Sequence, residues 1–217
     1  MRPFPLLCLV TDRRRLSPAA RTTRDEIAAV ERLLIDAIDA GIDLIQIRER
    51  DLEARDLAAL TRRIVARAVG TATRVLVNDR ADVAIAAGAH GVHLRGDGPA
   101  SSAIRQLLPP GSTIGRSIHE PGETRDEADC FIFGTVFPSG SKAAGHAVAG
   151  VTGLAGAVRA TGIRVLAIGG ITPANAARCL AAGAAGIAAI GVFLPPGLIS
   201  GSLGPAGAVA ALREEWT

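Results

Sequence analysis

The chain has no tyrosine, one tryptophan and one methionine, and only one of its 24 Lys and Arg residues is a lysine. So few aromatic faces exclude a surface that grips nucleic acid by stacking bases. The three cysteines, Cys8, Cys130 and Cys179, are far apart and form no C-x-x-C pair. Without an even-numbered disulfide framework, the expected setting is a reducing cytoplasm. The apolar run at 6–10 is too short for a signal core and meets Asp12-Arg13-Arg14-Arg15 directly. No window approaches a membrane span, so no membrane partner is expected. The net charge of +3 also excludes a polyanion groove, leaving local anion sites as the expected use of the basic residues.

What remains is a chain with 48% apolar residues, rich in alanine and glycine, whose short apolar runs alternate with amphipathic stretches. The runs fall at 6–10, 44–47, 74–77, 91–94, 113–115, 130–134, 164–168 and 186–190. Between them lie helix-like stretches at 25–40, 52–69, 80–88, 99–108, 121–128, 150–160, 173–182 and 203–214. Eight β–α units without an intervening linker predict a single (β/α)₈ TIM-barrel domain over residues 1–217. A doubly wound sheet is the alternative, but near-equal units favour closure. Gly41, Gly88 and Gly183 stand where helices should stop, and Thr172-Pro173 reads as an N-cap followed by proline at the first helical position.

In a barrel, chemistry gathers where strands end. The second run continues as Gln46-Ile-Arg48-Glu-Arg50, and period-two geometry turns Ile45 and Ile47 toward the helices and Gln46, Arg48 and Arg50 toward the axis and mouth. Polar groups so placed call for an anion, unless Glu49 and Asp51 form a salt-bridge ladder with the arginines. Asn78-Asp79 and Asp97 bring a phosphate donor and two hard carboxylate ligands to the same rim. Ser117 and His119 end the fifth unit; His119 could equally be a structural residue.

After the sixth run, a loop of small and hydroxyl residues, Pro138-Ser139-Gly140-Ser141, leads to Lys142, the sole lysine. An ammonium is a compact charge suited to capping a phosphate, and this loop can add backbone and hydroxyl donors. Gly169-Gly170 and Gly191 follow the seventh and eighth runs, where backbone N–H groups commonly hold phosphate in barrels. Together these residues predict two anion sites on one mouth and a Mg²⁺-dependent enzyme that handles a diphosphate and a phosphate.

The stretches LCLVTD, GIDLIQIRERD, LVNDRADVAIAAGAHGVHL, IGRSIH, FGTVFPSGSK and VLAIGGITPANAARCLAAGAAGI resemble, in order, the thiamine phosphate synthase and TenI superfamily. The resemblance implies a transferase that joins hydroxymethylpyrimidine diphosphate to thiazole phosphate and releases diphosphate. It implies Gln46 on the pyrimidine; Arg48, Arg50, Asn78 and Lys142 on the diphosphate; and Asp79 on Mg²⁺. It also implies Ser117 and the loop from Ser139 to Ser141 lining the substrates, with Gly169, Gly170 and Gly191 on the thiazole phosphate; His119 and Thr135 are further candidates for substrate binding on the same rim. The alternatives are a TenI-type thiazole tautomerase and a non-catalytic regulatory binder of thiamine precursors; a homo-oligomer is compatible with any of them.

Several positions depart from the synthase pattern. Arg50 stands for a lysine, Arg95 for a glycine, Thr135 for a proline and Gly191 for a serine. The second metal aspartate of the pattern falls on Gly98, with Asp97 one residue early. GRSIH and FGTVF lean toward the tautomerase branch, which nevertheless tends to carry a catalytic histidine at the position of Thr135 and to lose the aspartate kept here as Asp79.

Overall fold

A computed structural model describes residues 5–140 and 147–216. Eight parallel strands close into a barrel: β1 (Leu6–Val10), β2 (Leu44–Ile47), β3 (Arg74–Asn78), β4 (Gly91–Leu94), β5 (Thr113–Ile118), β6 (Cys130–Phe133), β7 (Arg164–Ile168) and β8 (Gly186–Ala189). Closure is made by β1, which pairs with β2 through Cys8 and Leu44 and with β8 through Leu6 and Gly186. The helices are α1 (Arg13–Leu16), α2 (Thr23–Asp39), α3 (Ala54–Ala68), α4 (Ala81–Ala87), α5 (Ser101–Arg105), α6 (Gly150–Arg159), α7 (Pro173–Ala181) and α8 (Gly204–Glu214). The expected (β/α)₈ architecture is therefore present, and the doubly wound alternative is not.

Strand alternation divides the core into two layers. Leu7, Leu9, Ile45, Ile47, Val75 and Val77 face the helices and are fully or nearly fully buried. Leu6, Cys8, Val10, Leu44, Cys130, Ile132 and Leu166 fill the barrel axis. Burial pushes the Cys130 thiol up to about 12, with nearby Asp129 adding to the shift, so it behaves as a small apolar side chain. Helix ends follow the sequence signals: Gly88 closes α4 in the left-handed conformation at φ +68°. Thr172 and Asn175 form a reciprocal capping box before α7.

Several local expectations differ from the structure: α1 was not expected, and α5 occupies only Ser101–Arg105 of the expected 99–108. The stretch 121–128 forms only the 3₁₀ turn Pro121–Thr124, because its polar continuation buries just Thr124 and Ala128 and has no apolar stripe to prolong a helix. Conversely, β5 continues past the run at 113–115 to Ile118. Arg116 is tolerated in the strand because its guanidinium donates to the carbonyls of Gly96, Gly98 and Pro99 at 2.9, 3.1 and 2.7 Å.

Candidate active site

A cavity of about 980 Å³ opens at the C-terminal mouth of the barrel. It collects Gln46, Arg48 and Arg50 after and within β2, Asn78 from β3, Asp97 after β4, and Ser117 and His119 from the end of β5. Thr135 and Ser139 line it from the loop after β6, Gly169 and Gly170 from beyond β7, and Gly191 from beyond β8. Asp79 lies immediately behind, joined to the lining residues Asn78 and Arg95. Ser141 and Lys142 lie outside the described residues.

The salt-bridge ladder considered for Arg48 and Arg50 does not form, because other arginines hold its carboxylates. Arg13 donates through Nε to Glu26 at 2.8 Å and through Nη1 to Asp51 at 2.6 Å and Glu49 at 3.3 Å. Arg14 takes the other oxygen of Asp51. Burial pushes the Glu49 carboxyl up, against the lowering effect of its hydrogen bonds from Thr11 and Arg13. Among the described residues, Arg48 and Arg50 have no carboxylate at ion-pair distance. Burial and then the Arg50 charge push the Arg48 guanidinium down from its ordinary value, the direction expected where like charges converge.

Next to these charges runs a buried amide chain. Gln46 Nε2 donates to Asn78 Oδ1 at 2.7 Å, and Asn78 Nδ2 donates to Asp79 Oδ2 at 2.8 Å. The Asp79 carboxylate requires a donor, so Asn78 must turn its carbonyl toward Gln46 and Gln46 its amino group toward Asn78. This order leaves the Gln46 carbonyl oxygen as the acceptor that can meet a ligand. Asp79 holds an unusual backbone conformation at φ +59°, with its N–H bonded to the His93 carbonyl at 2.9 Å.

His93 is fully buried, and desolvation followed by the Arg48 and Arg116 charges pushes its ring down to about 3. Its Nδ1 has no partner among the described residues, whereas Nε2 lies 2.9 Å from Ser117 Oγ. The proton therefore belongs on Nε2, and the Ser117 hydroxyl keeps its own hydrogen to offer to the cavity. His119 Nδ1 donates to the Gly134 carbonyl at 2.5 Å, which fixes the ring and turns Nε2 away from that bond.

The far side of the mouth is built for close backbone approach. Gly169 and Gly170 have φ of +103° and +61°. A Cβ on Gly170 would stand 2.3 Å from the Pro138 carbonyl oxygen, and one on Gly169 would stand 2.5 Å from Thr135 Cγ2. These glycines thus join the loop after β6 to the end of β7, a packing role beside any ligand role. Gly191 opens the 3₁₀ turn Gly191–Phe193, and Arg15 Nη2 would lie 3.9 Å from a Cβ there. Arg15 was not singled out by sequence reasoning. Its signal was its place in Arg13-Arg14-Arg15: a single helical turn sends three successive side chains in different directions, so only the third faces the mouth.

A closed eight-stranded parallel barrel with an arginine-rich, glycine-lined mouth defines the class as a (β/α)₈ protein with anion-handling character. Residues 7–193 match the family model described as thiamine monophosphate synthase, and the chain belongs to that family, TMP-TENI. It is 37% identical over 190 residues to a thiamine-phosphate synthase of Chlorobium luteolum, covering 86% of this chain and 84% of that one. A thiamine-phosphate synthase of Anaeromyxobacter dehalogenans is 42% identical over 162 residues, covering 73% and 72%. A solved thiamine phosphate pyrophosphorylase from Pyrococcus furiosus superposes with a TM-score of 0.78 at 28% identity, covering 97% of this chain and 94% of that one. No helix among the described residues is long and apolar enough to cross a membrane.

Proposed function

We propose that this chain is a thiamine-phosphate synthase that joins hydroxymethylpyrimidine diphosphate to thiazole phosphate. The thiazole nitrogen donates its lone pair to the pyrimidine methylene carbon, and the carbon–oxygen bond breaks. Diphosphate leaves with the bonding electrons. Negative charge therefore grows on the leaving group in the transition state, where fixed cations stabilise it most. The observation that carries this reading is the pair Arg48 and Arg50, converging on the mouth while Arg13 and Arg14 hold the nearby carboxylates.

The remaining roles follow from position. Gln46 and Ser117 present an acceptor and a donor to the pyrimidine, with His119, Thr135 and Ser139 shaping the space between the substrates. Asn78 supports the diphosphate end together with Lys142, whose role is argued from sequence. Gly169, Gly170 and Gly191 receive the thiazole phosphate, and Arg15 supplies a counter-charge beside Gly191.

The donor set suits Mg²⁺. Asp79 Oδ2 and Asp97 Oδ1 already share a cation, lying 3.1 and 3.6 Å from Arg95 Nε. Among the described residues no group of three or more His, Cys, Asp or Glu side chains could hold a metal. Mg²⁺ characteristically uses one or two carboxylates and takes its other ligands from water and phosphate. Asp79 would hold it with Asp97 as the second carboxylate, and bound there it would neutralise diphosphate charge.

The test mixes purified protein, Mg²⁺ and both precursors and follows thiamine phosphate together with released diphosphate. Stoichiometric formation of both products is expected, with turnover abolished in Asp79→Asn while the melting profile is kept. A protein that isomerises a thiazole phosphate but forms no coupled product would contradict the assignment.

A further inference from the structure

Arg95 occupies a position where the synthase pattern has glycine, and the structure gives it a definite task. Its backbone N–H donates to Asp79 Oδ1 at 2.9 Å. Its side chain then folds back so that Nε lies 3.1 Å from Asp79 Oδ2 and 3.6 Å from Asp97 Oδ1. The loop that follows is not free to drift, since the Arg116 guanidinium holds the carbonyls of Gly96, Gly98 and Pro99. Arg116 is in turn fixed 3.4 Å from Asp126. The loop backbone is thus anchored, while the Arg95 side chain remains 53% exposed and the Asp97 side chain 79% exposed.

A guanidinium is larger than a divalent ion and cannot share the same carboxylate oxygens with one at close range. We propose that Arg95 is the resident counter-cation of the Asp79–Asp97 position, which a divalent ion must displace, and that the displaced guanidinium then pairs with diphosphate oxygens. The proposal rests on the reading of Asp79 as a metal ligand. It also accounts for the early placement of Asp97: one residue before the pattern's aspartate position, its carboxylate reaches the same guanidinium that Asp79 holds. Metal and diphosphate would then favour one another, because the anion offers Arg95 a new partner when the metal takes the old ones.

The experiment titrates Mn²⁺ alone into the parent protein, R95Q, R95K and D79N, reading free Mn²⁺ by electron paramagnetic resonance. Calorimetry at saturating Mg²⁺ measures inorganic diphosphate binding to the parent and R95Q. Removing two partly exposed ion pairs should tighten Mn²⁺ binding to R95Q by about tenfold. R95K should stay near the parent because it keeps the charge, and D79N should lose Mn²⁺. With the metal bound, R95Q should bind diphosphate more weakly than the parent.

If R95Q binds Mn²⁺ no more tightly than the parent while D79N loses it, the metal reading stands and Arg95 is not its competitor. If D79N retains Mn²⁺, the metal reading and the proposal fall together. Tighter Mn²⁺ with unchanged diphosphate affinity would overturn the transfer of Arg95 to the anion. Melting curves accompany each titration, and the backbone bond from Arg95 to Asp79 does not involve the side chain changed in R95Q and R95K.

Discussion

Arg13 and Arg48 follow neighbouring strands of the barrel and have opposite surroundings. Arg13 is enclosed by Glu26, Glu49 and Asp51, and its pairing, led by Asp51, raises its affinity for the proton. Arg48 lines the cavity together with Arg50, and burial followed by the Arg50 charge pushes its proton affinity down. The first arginine completes a charge network inside the protein; the second has no carboxylate at ion-pair distance among the described residues. Residue type alone does not separate these roles. What separates them is which carboxylates remain after the structural pairs have formed.

The comparison breaks most readily at Arg13. Arg13→Ala should lower stability by about 3–5 kcal/mol, since Glu49 is left buried without its partner. Chemical denaturation checks this, and a loss below about 1 kcal/mol would mean that the network is as dispensable as an ordinary surface pair. Lys142 lies outside the described residues, and its expected role is argued from sequence. Lys142→Ala should slow single-turnover chemistry at saturating substrates by about a hundred- to a thousand-fold, with little effect on affinity. Lys142→Arg should recover part of the loss by restoring charge without the compact ammonium geometry.

The smallest effect sharpens the comparison through His93, a basic side chain kept neutral by burial and then by the charges of Arg48 and Arg116. Its ring is pushed from the ordinary value of 6.5 down to about 3, so the unfolded chain binds its proton first as pH falls. Its contribution to stability is complete above about 6.5 and is lost progressively toward pH 3. Within that window the slope contributed by this group approaches about 1.4 kcal/mol per pH unit. His93→Gln should flatten the pH dependence of the unfolding free energy by about that amount, with His90, whose ring is also lowered by burial, contributing in the same direction and Glu49, raised by burial, in the opposite one.

The repeating units, the helix stops and the inward placement of Gln46, Arg48 and Arg50 were legible because they depend on period-two and period-3.6 patterns. The cavity unites nearly all the expected site residues for the same reason: strand order fixes where the loops emerge. Pairing was less legible. That Glu49 and Asp51 belong to Arg13 and Arg14, residues 36 to 38 positions away, depends on β1 lying beside β2 and on the single turn of α1. Arg15 escaped notice for that reason too, and Arg95 read as a departure from a family pattern until its two carboxylates were seen to converge on it. The glycines at 169 and 170 were visible as a phosphate signal, but the close approach of Thr135, Phe137 and Pro138, which leaves no room for a Cβ at either, arises only from tertiary packing.

The central claim is that the unpaired arginines serve a ligand and not the fold. Measuring inorganic diphosphate affinity and thermal stability side by side in the parent and Arg48→Gln tests it most directly. The account predicts that affinity falls by at least about tenfold, the loss of one charge-assisted contact, while the melting temperature holds or rises as like-charge repulsion is relieved. Unchanged diphosphate affinity together with a lowered melting temperature would contradict it.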